Sequence, residues 1–182
     1  GRLNRGNWIR AQLAAYKIGL GEKKHNLDDD FIKFLRWAQH WIDWAGCGIL
    51  AMVTNNTYLS GLTHRQMRAS LIRTFDRIYL LDLHGDVRKR QRTPAGDVDE
   101  NVFDIRQGVA IGVFVKSRSG RQGADGRVSH ADLWGSRAEK FEQLAGIDLD
   151  RLPELPGPPG APFYFFVPRR ADDQDAYLGW PR

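Results

Sequence analysis

Apolar positions along the chain change period several times, and each change marks an element. From Trp8 to Leu20 they recur at the spacing of a short amphipathic helix. A Gly/Lys-rich bend follows. Asn26 is placed to cap a second helix whose first turn holds Asp28, Asp29 and Asp30, where negative charge meets the positive end of the helix. Leu27, Phe31, Phe34, Leu35, Ala38, Trp41, Ile42 and Ala45 continue at helical spacing, and Gly46 and Gly48 end the run. Ile49 to Thr54 then reads as a strand covered on both faces, as in a parallel sheet. Thr63 and Gln66 have capping-box spacing, and Met67, Leu71 and Phe75 share one face of the helix that box would open. Ile78–Leu83 and Val109–Val115 read as two further strands.

The order helix, strand, helix, strand, long loop, strand predicts an α/β fold with helices on the sheet. Three strands are too few for a complete doubly wound domain, and no strand with a glycine-rich turn precedes them. The pattern therefore predicts a partial Rossmann-like sheet, its later strands only, with the first half upstream. Residues 1–117 hold that sheet. Residues 118–127 read as a Gly/Ser/Arg-rich linker. Residues 128–182 read as the start of a second module, with a short helix near Ser136 to Leu144, a proline-rich stretch from Pro153 to Pro162 and an aromatic strand from Phe163 to Val167.

Composition narrows the class. Of 182 residues 42% are hydrophobic and 11% aromatic, which suits a packed core and excludes a disordered segment. No apolar run is long enough to span a bilayer, so a soluble, cytoplasmic protein with no membrane partner is expected. The single cysteine, Cys47, cannot form an internal disulfide and reads as a small buried residue. No Cys/His cluster has zinc-ligand spacing, so no metal is expected. The chain has no Gly-x-Ser-x-Gly, no phosphate loop and no His-Glu-x-x-His. A net charge of +5 suits a polyanionic partner.

Several residues carry two readings each. His84 closes a strand where open α/β sheets place their ligand crevice; it either lies near a site or stabilises a turn. His40 reads as a surface or boundary residue. Asn55 and Asn56 either stabilise a turn or touch substrate. Arg88, Lys89, Arg90 and Arg92 either meet DNA phosphates or form a solvated loop balanced by Asp97, Asp99 and Glu100.

A resemblance adds to this. Asn26-Leu27-Asp28-Asp29-Asp30-Phe31-Ile32-Lys33-Phe34, then Gly48 to Asn56, Met67-Arg68, Phe75-Asp76-Arg77-Ile78-Tyr79 and Asp82-Leu83-His84-Gly85 lead into Asp99-Glu100-Asn101-Val102-Phe103-Asp104-Ile105-Arg106-Gln107-Gly108-Val109-Ala110-Ile111. This order resembles the methyltransferase region of Type ISP restriction-modification enzymes, over roughly residues 5–170. The resemblance implies the carboxy-terminal half of an adenine-N6 DNA methyltransferase domain followed by the start of a target-recognition region. It implies S-adenosyl-L-methionine as cofactor and double-stranded DNA as partner, in the cytoplasm of a prokaryote. The cofactor strands and the catalytic Asn-Pro-Pro-Tyr motif are expected upstream, so no catalytic residue is expected here and the piece alone is expected to be inactive. Phe34 would pack on the cofactor's adenine, with Asp30 and Phe31 at its rim. Phe103 would stack on a flipped target base. Phe34 and Phe103 are expected to converge on one rim of the sheet. On spacing alone the same phenylalanines fit core or strand-entry positions. A different class of reading, a non-catalytic DNA-binding module, rests on the basic loop, on Arg118 and Arg121, and on the aromatic tail.

Overall fold

The computed structural model describes residues 8–21, 27–119, 125–157 and 159–168. Asn26, the expected cap, lies outside the described residues, as do 120–124 (Arg121 with them) and 169–182. The elements are α1 (Trp8–Lys17), α2 (Asp30–Ala45), β1 (Gly48–Asn55), α3 (Arg65–Thr74), β2 (Arg77–His84), β3 (Val109–Lys116), β4 (Arg127–Asp132) and α4 (Arg137–Ala145). The fold is α/β, and its mixed sheet is compatible with part of a Rossmann-like sheet. The strand order is β1-β3-β2-β4. β3 runs antiparallel to both its neighbours, while β2 and β4 are parallel. β1, β2 and β4 therefore end at the same edge of the sheet. Arg127, expected to end a linker, and residues 128–132, expected to open a second module, form the fourth strand of this sheet.

Helices α1, α2 and α3 cover one face. Leu13, Ile32, Leu35, Met67, Leu71 and Phe75 pack there against Ile78, Leu80 and Phe114 from the strands. Burying such side chains stabilises by about 1.5–3 kcal/mol each. A polar hub ties the three helices together. Gln39 accepts from the Tyr16 hydroxyl at 2.6 Å and donates to Ser70 and Thr74. On the other face, Leu81, Leu83, Val102 and Leu133 form a second core with Leu144, Ile147 and Leu152.

Several expectations are corrected. β1 is an edge strand, antiparallel to β3, and its outward residues Ile49 and Val53 are 69% and 53% exposed. Its apolar run is thus covered on one face only. The buried stripe of α2 is Ile32, Leu35 and Gln39, while Phe34, Trp37, Trp41 and Trp44 form an exposed row. The row exists because the helix carries two apolar faces and only one meets the sheet. Asp29 is the N-cap of α2, and Gly46 ends it in the left-handed conformation at φ 77°. The Thr63–Gln66 box does not form. A 3-10 turn over Leu62–His64 runs straight into α3, and the Leu62 carbonyl accepts from the Arg65 amide, the first of the helix. Cys47 is half-exposed rather than buried. His40 is a boundary residue with its ring against Trp8 and Trp41.

Phe163 to Val167 is not a strand. The Arg68 guanidinium takes the carbonyls of Phe163 and Tyr164, so these groups are turned toward α3 and not toward a neighbouring strand. Phe166 is buried in the helix-side core. Among the described residues no helix is long and apolar enough to cross a membrane.

Candidate functional site

The shared edge where β1, β2 and β4 end brings polar side chains together from distant parts of the chain. Asp82 points to the helix side of β2, and its Oδ1 accepts from Asn56 Nδ2 at 2.9 Å and from the His84 amide at 3.0 Å. His84 and Gly85 then turn the chain sharply, at φ 51° and 75°. A Cβ at Gly85 would meet the Asn101 backbone at 2.5 Å, so the turn requires glycine.

The His84 ring is fixed on three sides. It stacks on Trp134 at 3.4 Å between ring centres. Its Nε2 lies 2.7 Å from Asp132 Oδ1, and its Nδ1 lies 3.2 Å from Gln91 Nε2. Gln91 Oε1 accepts from the Asp86 amide, which turns the amide nitrogen toward His84. Nδ1 is then the acceptor and Nε2 carries the proton toward Asp132. Burial works against charge on Asp132, but the His84 hydrogen bond and the two neighbouring imidazoles hold its carboxyl below the usual range.

His130 is in the opposite condition. It is 3% exposed, and neither ring nitrogen has a hydrogen-bond partner among the described residues. Asp132 Oδ2 lies 3.9 Å from His130 Nδ1. Burial pushes its pKa down, against the pull of Asp132 and Asp82. The ring is therefore neutral at pH 7. Asp82, His84, His130 and Asp132 line a cavity of about 440 Å³, with Asn56 and Lys89 at its margin.

A second buried centre holds the loop that returns from β2 to β3. Lys140 Nζ pairs with Asp99 at 2.7 Å, both fully buried, and donates to the carbonyls of Leu83 and Glu100. Asp99 accepts in turn from the amides of Gly85 and Gly135. Every strong group there is matched. The Ser136–Glu139 capping box starts α4 and puts Lys140 in reach.

The residues singled out from the sequence fall in several places. Asn56 and Lys89 line the strand-end cavity, and Asn55 caps the short 3-10 turn after β1 through the Thr57 amide. Arg88 and Lys89 sit 3.7 and 3.8 Å from Asp86. Arg90 is left-handed at φ 50°, and Arg92 donates to the Gly96 carbonyl. All four basic side chains are exposed.

Phe31 packs on Tyr58, whereas Phe34 is 61% exposed and lines a shallow apolar cavity of about 320 Å³ with Ile9, Asp30, Lys33 and Trp37. Asp30 itself pairs with Lys33 at 2.8 Å. Phe103 is 45% exposed, on a bend held by Asn101. The Phe34 cavity and the strand-end cavity share no residue, and Phe103 lines neither. His130, Asp132, Gln91 and Trp134 were not singled out, nor were the buried cations Arg68 and Lys140. The one usable signal was the strand-end position of His84.

No family model matches the chain, and no curated protein does. Solved structures do. The ATP-dependent Type ISP restriction-modification enzyme LlaBIII bound to DNA matches at 29% identity and TM-score 0.65, over 75% of this chain and 9% of that one. A DrdV–DNA complex solved by cryoEM matches at 25% identity and TM-score 0.70, over 85% of this chain and 15% of that one. A nuclease-deletion mutant of the Type ISP enzyme LlaGI, in complex with a DNA substrate mimic, shares the fold at 19% identity and TM-score 0.70, over 92% of this chain and 16% of that one. The chain thus spans a small part of each; it is similar to a part of a Type ISP restriction-modification enzyme bound to DNA and to a part of the DrdV–DNA complex, and it shares its fold with a part of LlaGI.

Proposed function

We propose that this chain is part of a DNA adenine-N6 methyltransferase in a restriction-modification system. The observation that carries the reading is Phe103. A large aromatic ring stays 45% exposed on a bend whose backbone is anchored, beside a sheet similar to part of enzymes solved with DNA. A base turned out of the duplex needs a flat apolar surface, and such stacking is worth about 1–3 kcal/mol per base.

The proposed cofactor is S-adenosyl-L-methionine, which supplies the methyl group when bound. The cavity at Phe34 fits one wall of such a site. Phe34, Trp37 and Ile9 offer a flat apolar surface, and Asp30 offers an acceptor at its rim. Phe31 is packed inward on Tyr58 and would support the wall from behind. The residues that would position the amino group are proposed to lie upstream in the same polypeptide. Support for that partner comes from the exposed row Phe34, Trp37, Trp41 and Trp44 and from the open outer side of β1 at Ile49 and Val53. Exposed apolar patches of this kind mark interfaces.

The test is methyl transfer to duplex DNA by the full-length polypeptide that carries this chain. Phe103→Ala is expected to lower transfer about tenfold or more while duplex affinity is kept. Unchanged transfer would remove the reading. The exposed set Arg88, Lys89, Arg90 and Arg92 supports a second reading, a non-catalytic DNA-binding module. Neutralising that loop would then weaken duplex binding uniformly, with the Phe103→Ala change having no effect.

A further inference from the structure

We propose that the strand-end cavity is a binding site for one divalent transition-metal ion, held by Asp82, His130 and Asp132. One ligand atom from each residue lies within 4.8 Å of the others. Donors around a single ion at about 2.0–2.2 Å span at most roughly 4.4 Å, so small side-chain rotations close the set. The independent observation is His130. A buried imidazole with both nitrogens unpartnered costs about 1–3 kcal/mol, and a metal bond removes that cost.

The surroundings suit the ion. Two carboxylates and a neutral imidazole balance a charge of two. Among the described residues both side-chain hydrogen bonds on Asp82 go to Oδ1, and the His84 bond on Asp132 also goes to Oδ1. Each carboxylate is thereby oriented while its Oδ2 takes neither bond. Hydrogen bonds of this kind fix ligating groups, and losing one weakens metal binding by about 10–100-fold. A mixed nitrogen and oxygen set favours zinc, manganese or nickel over magnesium, which prefers oxygen alone. Among the described residues Lys89 is the one lysine or arginine lining the cavity, and it leans to Asp86 at 3.8 Å.

The experiment titrates manganese(II) and zinc(II) into the intact chain by calorimetry, with magnesium(II) as control. One equivalent is expected for manganese and zinc, with an electron-spin signature of a coordinated nitrogen for manganese. His130→Gln and Asp132→Asn are expected to weaken binding at least tenfold. His84→Gln, which frees Asp132, is expected to weaken it about tenfold or more. Absence of stoichiometric uptake by the unmodified chain overturns the proposal, whatever the variants do. So does manganese uptake without nitrogen coupling, or binding that survives both ligand changes. None of these readouts depends on methyl transfer.

Discussion

Arg68 and His130 are both polar and both almost fully buried, at 0% and 3% exposure, yet they are opposites. Arg68 spends its guanidinium on the carbonyls of Tyr58, Gly61, Phe163 and Tyr164, with the Phe165 ring 5.3 Å away. His130 has no hydrogen bond among the described residues. Burial alone does not mark a functional group. A matched buried charge is a fastening, whereas a buried ring that faces a polar cavity without a hydrogen bond among the described residues keeps both nitrogens free to act as donor or acceptor there.

The difference can be broken by substitution. Arg68→Met strands four buried carbonyls and lets the 161–168 tail go, so a loss of about 5 kcal/mol is expected in denaturant unfolding. A loss under 1 kcal/mol would erase the contrast. Lys140→Met leaves the buried Asp99 side chain without its ion-pair partner and is expected to cost about 3–5 kcal/mol; adding Asp99→Leu should recover part of that.

His64 sharpens the contrast through pH. It is buried beside Arg68, and burial first, then that positive charge, pushes its pKa down to about 4. The unfolded ring titrates near 6.5, so below that pH the unfolded state binds more protons. Stability is expected to fall by about 3 kcal/mol as pH drops from 6.5 to 4, then to level. His130 is shifted in the same direction and steepens the fall. Melting points across that range, flat for the wild-type chain, would contradict this. The smallest loss is expected for His130→Phe without metal: no hydrogen bond among the described residues is broken and the cost of the unpartnered ring goes with it, so stability is kept or rises by up to about 1–3 kcal/mol. A loss above 3 kcal/mol would show that His130 is another fastening.

Much of the sheet was legible because apolar runs announce strands. β4 was not. Val128, Ser129, His130, Ala131 and Asp132 are short and half polar, and their partner is β2, far upstream. The same distance hid the site. His84 could be placed at a strand end, but Asp132 lies 48 residues away in sequence and only the parallel pairing brings it near. The aromatic tail read as a strand because period and residue type fit one; a single arginine on α3 decided otherwise. The exposed aromatic row on α2 was legible as apolar but not as exposed, since spacing does not say which of two greasy faces meets the sheet.

The bend that carries Phe103 has one more consequence. Asn101 donates to Gly85 on one side and to Gln107 on the other, and Arg137 grips the Asn101 carbonyl and Asp104. The feet of the bend are thus clamped to each other and to α4. Phe103 is a peg on a mounted bracket, not the tip of a swinging arm. Whatever comes to rest against it has to supply the movement itself.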